Sequence, residues 1–189
     1  MTKQQLKEIQ EKIGKWQAYN FPNSKIEEIA LGPIEELGEL CHLILKNKQG
    51  IRENPNYERE VRDAIGDTAI YCFSIMDLAN FGFHTSNISM EEYENVFPVN
   101  DLPLVFLIHK LISDVGKLSN IFNTCFDLKS LNVIDVLKRN FSVLMNSIFL
   151  NLNNIAFHFN TTFEECLFET MEVVLKRDWI KFPKNGVTE

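Results

Sequence analysis

Apolar residues recur every three or four positions along nearly the whole chain, punctuated by Pro, Gly and Asn, and nowhere alternate as a half-buried strand would. This pattern predicts an all-α protein. The spacing predicts a first helix over residues 2 to 19 and a second over 24 to 47, adjusted around Pro33. A loop from Gln49 to Asn56 leads to a third helix over 57 to 81. Residues Asn87 to Asn100, with Pro98, read as a linker carrying a short helix at Met90 to Asn95. Helical pattern returns at 102 to 122, 131 to 158 and 162 to 179. Ser24 with Glu27, and Thr161 or Thr162 with Glu164 or Glu165, have the spacing of capping boxes.

Two of these segments carry acids at helical spacing among apolar residues. In GPIEELGEL, Glu36 and Glu39 lie on one side of a helix. In EREVRDAIGD, Glu60, Asp63 and Asp67 form a stripe at i, i+3 and i+7. Leu37, Leu40, Ile65, Ala69 and Ile70 set these carboxylates beside the apolar seam. Like charges so placed repel, and a carboxylate taken from water is costly unless it is paired or coordinates a cation. Two facing stripes would make an oxygen cage suited to Mg²⁺, with Mn²⁺ as a substitute. Solvated acids on two amphipathic helices are the plainer alternative. Gly38 and Gly66, each just before an acid, suggest close approach by another backbone or a ligand.

The segment GPIEELGELCHLILKNKQGIR followed by EREVRDAIGDTAIY resembles the MazG-like all-α nucleotide pyrophosphohydrolases, whose signature is EExxE, a spacer, then ExxD. Glu35, Glu36 and Glu39 match the first half. Two registrations compete for the second: Glu60 with Asp63, or a final aspartate at Asp67, where the glutamate three residues earlier has become Ala64. The resemblance extends to Trp16 with Asn20, Phe21 and Pro22, to Lys46 with Gln49, Gly50, Ile51 and Arg52, and to Lys176, Arg177, Asp178 and Trp179. It implies cleavage of a nucleoside triphosphate to monophosphate and pyrophosphate, with Mg²⁺ held by Glu36, Glu39, Glu60, Asp63 and Asp67. Glu35 is a candidate base, and Lys46, Lys48, Arg52 and Arg177 are candidates for the phosphates. Each cation near residue 46 reads equally well as a helix-end charge. Trp16, Phe21, Tyr71 and Asn80 are candidates to stack on or bond a base, and equally core or capping residues.

HKLISDVGKLSNIF echoes GPIEELGELCHLIL, with Gly116 at the place of Gly38, Asp114 at that of Glu36 and Lys117 at that of Glu39. The later segment around Arg139 and Val143 keeps the apolar pattern of the third helix without its acids. A degenerate tandem duplication follows as an expectation: a catalytic repeat over 1–86, a linker over 87–101 and a degenerate repeat or helical extension over 102–189, fused as a pseudo-dimer. An unrelated helical insertion is the alternative. On the duplicated reading Lys117 and Arg139 are candidates to face phosphate, with a solvated surface role the plainer reading for each.

Composition narrows the classes. A net charge of −7 without a basic face argues against a nucleic-acid partner. No apolar run reaches a membrane span and the first residues do not read as a signal peptide, so a cytoplasmic protein is expected. Cys41, Cys72, Cys125 and Cys166 sit in apolar contexts without metal-ligand spacing and read as free thiols. Glu39 and His42 spell ExxH, but no other histidine has a glutamate three residues before it, which disfavours a di-iron site. Apolar faces left over by a fused pair would suit a homodimer. A non-catalytic helical binding protein and a phosphoribosyl-ATP pyrophosphatase are the remaining functional alternatives.

Overall fold

The computed structural model describes residues 1–81, 102–127 and 131–187, with the backbone alone for 123–127 and 131–139. These residues are helical, with no strand among them. The helices are α1 (Lys3–Asn20), α2 (Ile26–Ile29), α3 (Gly32–Lys48), α4 (Tyr57–Leu78), α5 (Leu104–Asp127), α6 (Leu131–Phe157) and α7 (Phe163–Val174). No helix among the described residues is long and apolar enough to cross a membrane.

α4 is the central element and packs against α1, α2, α3, α6 and α7. Its second half explains the role: Thr68, Ala69, Ile70, Cys72, Phe73, Ser74, Ile75 and Met76 are all buried. Only a narrow strip through Asp67, Tyr71, Asp77 and Leu78 is left outside the core. Phe73 stacks on Phe149 of α6 at 5.1 Å, and Phe149 meets Phe163 of α7 at 5.4 Å, so aromatic packing joins three helices. α3 with α4 and α5 with α6 form two helical hairpins sharing one continuous core. α7 lies chiefly on α4. The last helix thus closes over the first hairpin. Arg62 of α4 pairs there with Glu169 of α7.

Several boundaries differ from the sequence expectation. The segment 24 to 47 is two helices, because the chain turns at Ala30 and Leu31 and restarts with Pro33 in the first turn of α3. Proline's fixed φ suits a helix start and its missing N–H costs nothing there. The cap before α2 uses Glu28, which accepts from the Lys25 N–H at 2.9 Å, in place of Ser24 with Glu27. Thr162 and Glu165 do form a reciprocal box, and so do Thr2 and Gln5 at the start of α1. The last helix ends at Val174, earlier than residue 179. Tertiary bonds draw the chain away: Asp178 N–H donates to Gly186 O at 2.7 Å, and Trp179 N–H to Asn20 Oδ1 at 2.7 Å. The expected linker over 87–101 lies outside the described residues.

The two flagged glycines part company. A Cβ on Gly66 would meet Thr170 Oγ1 at 2.0 Å and Cys166 O at 2.8 Å, so α7 is the backbone that approaches it. At Gly38 an added Cβ meets nothing within 4 Å. Cys72 and Cys166 are buried and Cys41 half-buried, all three as free thiols.

Candidate functional site

The first hairpin brings five acids into one electrostatic neighbourhood. In the first two turns of α3, Glu35 and Glu39 are exposed, while Glu36 is half-buried beside the core residue Leu40. Asp63 and Asp67 lie one turn apart on α4. Burial, followed by the charges of Asp67, Glu39, Glu35 and Asp63, pushes the Glu36 carboxyl up to about 8. Asp67 is pushed up to about 7 by burial and by Asp63 and Glu39, with Arg177 offsetting part of the effect. Carboxylates crowded this way gain from a cation. Among the described residues no three His, Cys, Asp or Glu converge into a preformed ligand shell.

Position 64 does not belong to this neighbourhood. Ala64 is 3% exposed and faces the core, where an ionised acid would be costly. Asp63 and Asp67 are therefore the α4 acids that face Glu36. Glu60 stands apart, accepting from Asn54 Nδ2 at 2.6 Å.

Beside the acids lies a cavity of about 320 Å³ whose lining includes Glu35, Glu36, Asp67, Tyr71, Arg177 and three further aromatic residues. Tyr71 packs on the start of α3: a Cβ at Gly32 would stand 2.2 Å from its ring. Only glycine fits there. The aromatic wall is Trp16, Phe21 and Trp179, with Trp16 edge-on to Phe21 at 5.7 Å and Phe21 tilted against Trp179 at 6.5 Å. The segment after α7 completes the wall. Trp16 Nε1 donates to Arg177 O at 3.0 Å, and Asn20 bridges Trp16 O and Trp179 N–H. Arg177 thereby joins acids more than 100 positions earlier in the chain.

At the other end of the α3–α4 groove a second cavity of about 490 Å³ is lined by His42, Lys46, Arg52, Asn54, Tyr57 and Glu60, among others. Arg52 takes a left-handed backbone, φ 57°, at the turn between the helices. Lys46 and Arg52 thus share one cavity, whereas Lys48 is exposed and lines neither. Asn80 is exposed, with φ 50°, and ends α4 away from both cavities.

The second hairpin holds an acid too. Asp114 of α5 is 5% exposed and accepts from Lys117 Nζ at 2.8 Å, Ser147 Oγ at 2.6 Å and Asn151 Nδ2 at 3.0 Å. Ser147 and Asn151 are one turn apart on α6, as Asp63 and Asp67 are on α4. Lys117 is thus committed to Asp114. The Arg139 side chain lies outside the described residues.

Gln17 and Ser74 escaped the sequence reading. Both are buried in the lining of the aromatic cavity. Each sits in an amphipathic helix with nothing local to mark it out.

No protein-family model matches the chain, and neither a curated protein nor a solved structure matches it.

Proposed function

We propose that this protein is a Mg²⁺-dependent nucleoside triphosphate pyrophosphohydrolase that cleaves between the α and β phosphates to give the monophosphate and pyrophosphate. The observation that carries the reading is the crowding of Glu36 and Asp67, whose carboxyls are pushed up to about 8 and about 7 at the mouth of an aromatic cavity. Perturbed carboxylates in a cleft are a physical signature of a working site. The order of features supports it. Along α4, Tyr71 borders the aromatic cavity, Asp67 and Asp63 follow, and Glu60 borders the cavity with Lys46 and Arg52. That run covers about 16 Å at the helical rise per residue. A nucleotide laid along it would set its base among aromatics, its inner phosphates at the acids and its outer phosphate at the cations.

Mg²⁺, or Mn²⁺ in its place, held by Glu36, Glu39, Asp63 and Asp67 would neutralise phosphate charge and acidify a bound water. Glu35, exposed on the same side of α3, is the base that takes the proton of the attacking water. Water oxygen bonds to phosphorus, the α–β bridging P–O bond breaks and pyrophosphate leaves. Arg177 stabilises charge on the inner phosphates, and Lys46 with Arg52 binds the outer one. Glu60 keeps Asn54, and with it the loop carrying Arg52, in place.

The fold is read as a MazG-like pseudo-dimer whose second hairpin has lost its site, in a cytoplasmic enzyme of nucleotide supply. The test is pyrophosphate release from a panel of ribo- and deoxyribonucleoside triphosphates with Mg²⁺. Metal-dependent release that vanishes in Glu39→Gln and Asp67→Asn supports the enzyme. Absence of release from every triphosphate by the folded protein would overturn it.

A further inference from the structure

Two residues lining the aromatic cavity each carry a buried polar atom without a partner. Gln17 is 5% exposed and its Nε2 donates to nothing; Ser74 is 1% exposed and its Oγ bonds to nothing. Both residues line the cavity, Gln17 from α1 and Ser74 from α4. A buried donor left unpaired costs about 1–3 kcal/mol, so two in one cavity are a standing penalty that a suitable ligand removes. Asn20, one turn beyond Gln17, shows the contrast. Its amide donates to Trp16 O and its carbonyl oxygen accepts from Trp179 N–H, so it is spent on holding the wall.

We propose that Gln17 and Ser74 are the residues that select the base, by hydrogen bonds to the polar edge of a purine or pyrimidine held among Trp16, Phe21, Tyr71 and Trp179. The proposal rests on the triphosphate reading of the adjoining acids. Planar aromatic walls accept any base face, so they give affinity with little choice. Choice comes from hydrogen bonding. A site that bonds a ligand's polar edge rejects the analogue lacking it far more strongly than an apolar pocket rejects a change in size. Gln17 Nε2 requires an acceptor, either a ring nitrogen or a carbonyl oxygen, while Ser74 Oγ can donate or accept.

The chain's two tryptophans, Trp16 and Trp179, both line this cavity, so intrinsic fluorescence reports its occupancy directly. Free nucleosides, each titrated without metal and compared with ribose, test the proposal independently of hydrolysis. The expected result is a saturable change with one base class, absent with ribose and weakened about tenfold in Gln17→Leu and in Ser74→Ala. With Mg²⁺ and the preferred triphosphate, the same variants raise KM about tenfold and leave kcat nearly unchanged. Gln17→Leu should also raise Tm, because it removes an unpaired donor; a merely structural glutamine would lower it. Equal titrations in wild type and variants, or a response to ribose matching that to nucleosides, would overturn the proposal. Loss of hydrolysis with retained base selection would sink the enzyme reading alone, and unaltered base preference in active variants would sink this one alone.

Discussion

The two helical hairpins put an acid at comparable places and treat it in opposite ways. In α5–α6, Asp114 is nearly enclosed and has three partners, of which Lys117 brings the positive charge. In α3–α4, Glu36 has the carboxylates of Asp67, Glu39, Glu35 and Asp63 around it. One site carries its own cation as an ammonium group and is electrostatically complete. The other gathers like charges, and Arg177 alone offsets part of the effect on Asp67. An acid in a helical bundle is therefore informative through its partners rather than through its presence.

The sharpest way to break this comparison is to remove one acid from each hairpin. Asp67→Asn should lower Mg²⁺-dependent pyrophosphate release by at least about 10²-fold, on the scale of losing one electrostatic contact to a developing charge. Asp114→Asn should leave kcat and KM unaltered and cost about 1–3 kcal/mol in urea unfolding, through weakened buried bonds. Loss of activity in Asp114→Asn would mean that the second hairpin also works.

The same contrast predicts a pH dependence. Glu36 and Asp67 have folded pKa values of about 8 and about 7, above the ordinary carboxylate range they regain on unfolding. The folded chain thus holds more protons than the unfolded chain between about pH 4 and pH 8, so stability falls as pH rises through that window. Thermal melts across it should show the fall, Mg²⁺ should flatten it, and Glu36→Gln should remove part of it. A fall unaffected by Mg²⁺ would place its source elsewhere.

A gain-of-function exchange makes a narrower test. Replacing Lys117 by Glu, Ser147 by Asp and Asn151 by Asp gives the second hairpin an acid set like the first. Mn²⁺ binding followed by electron paramagnetic resonance should then show additional bound ions per chain. An unchanged stoichiometry would mean that burial of Asp114, at 5% exposure, denies the ion access whatever the charges.

The smallest effect is one the hairpins share. Gly38 and Gly116 both have open space where a Cβ would stand. Gly38→Ala and Gly116→Ala should each stabilise the fold by about 0.5–1 kcal/mol, by helix propensity alone. Gly66→Ala should instead cost about 1–3 kcal/mol against α7. Denaturant midpoints separate the three.

Much of the helical content was legible because a 3.6-residue apolar period survives in any amphipathic helix, and the acids stood out because carboxylates beside a seam are anomalous. What stayed hidden depended on distant partners. Residues Lys176 to Trp179 continue the helical pattern of α7, yet Asn20 and Gly186 draw them off as a strap. Glu60 shares the stripe of Asp63 and Asp67, and only the position of Asn54 separates it from them. Ala64 looked like a missing acid until the core proved to lie on its side. Gln17 and Ser74 differ from ordinary helix residues only in lacking bonds, which no sequence displays.

The strap also sets an order on biosynthesis. The acids belong to the first 67 residues, but Arg177 and Trp179 reach them only after a further hundred or so have been made, and Gly186 fixes the strap later still. While the nascent chain is incomplete its acidic groove has neither Arg177 nor the Trp179 wall.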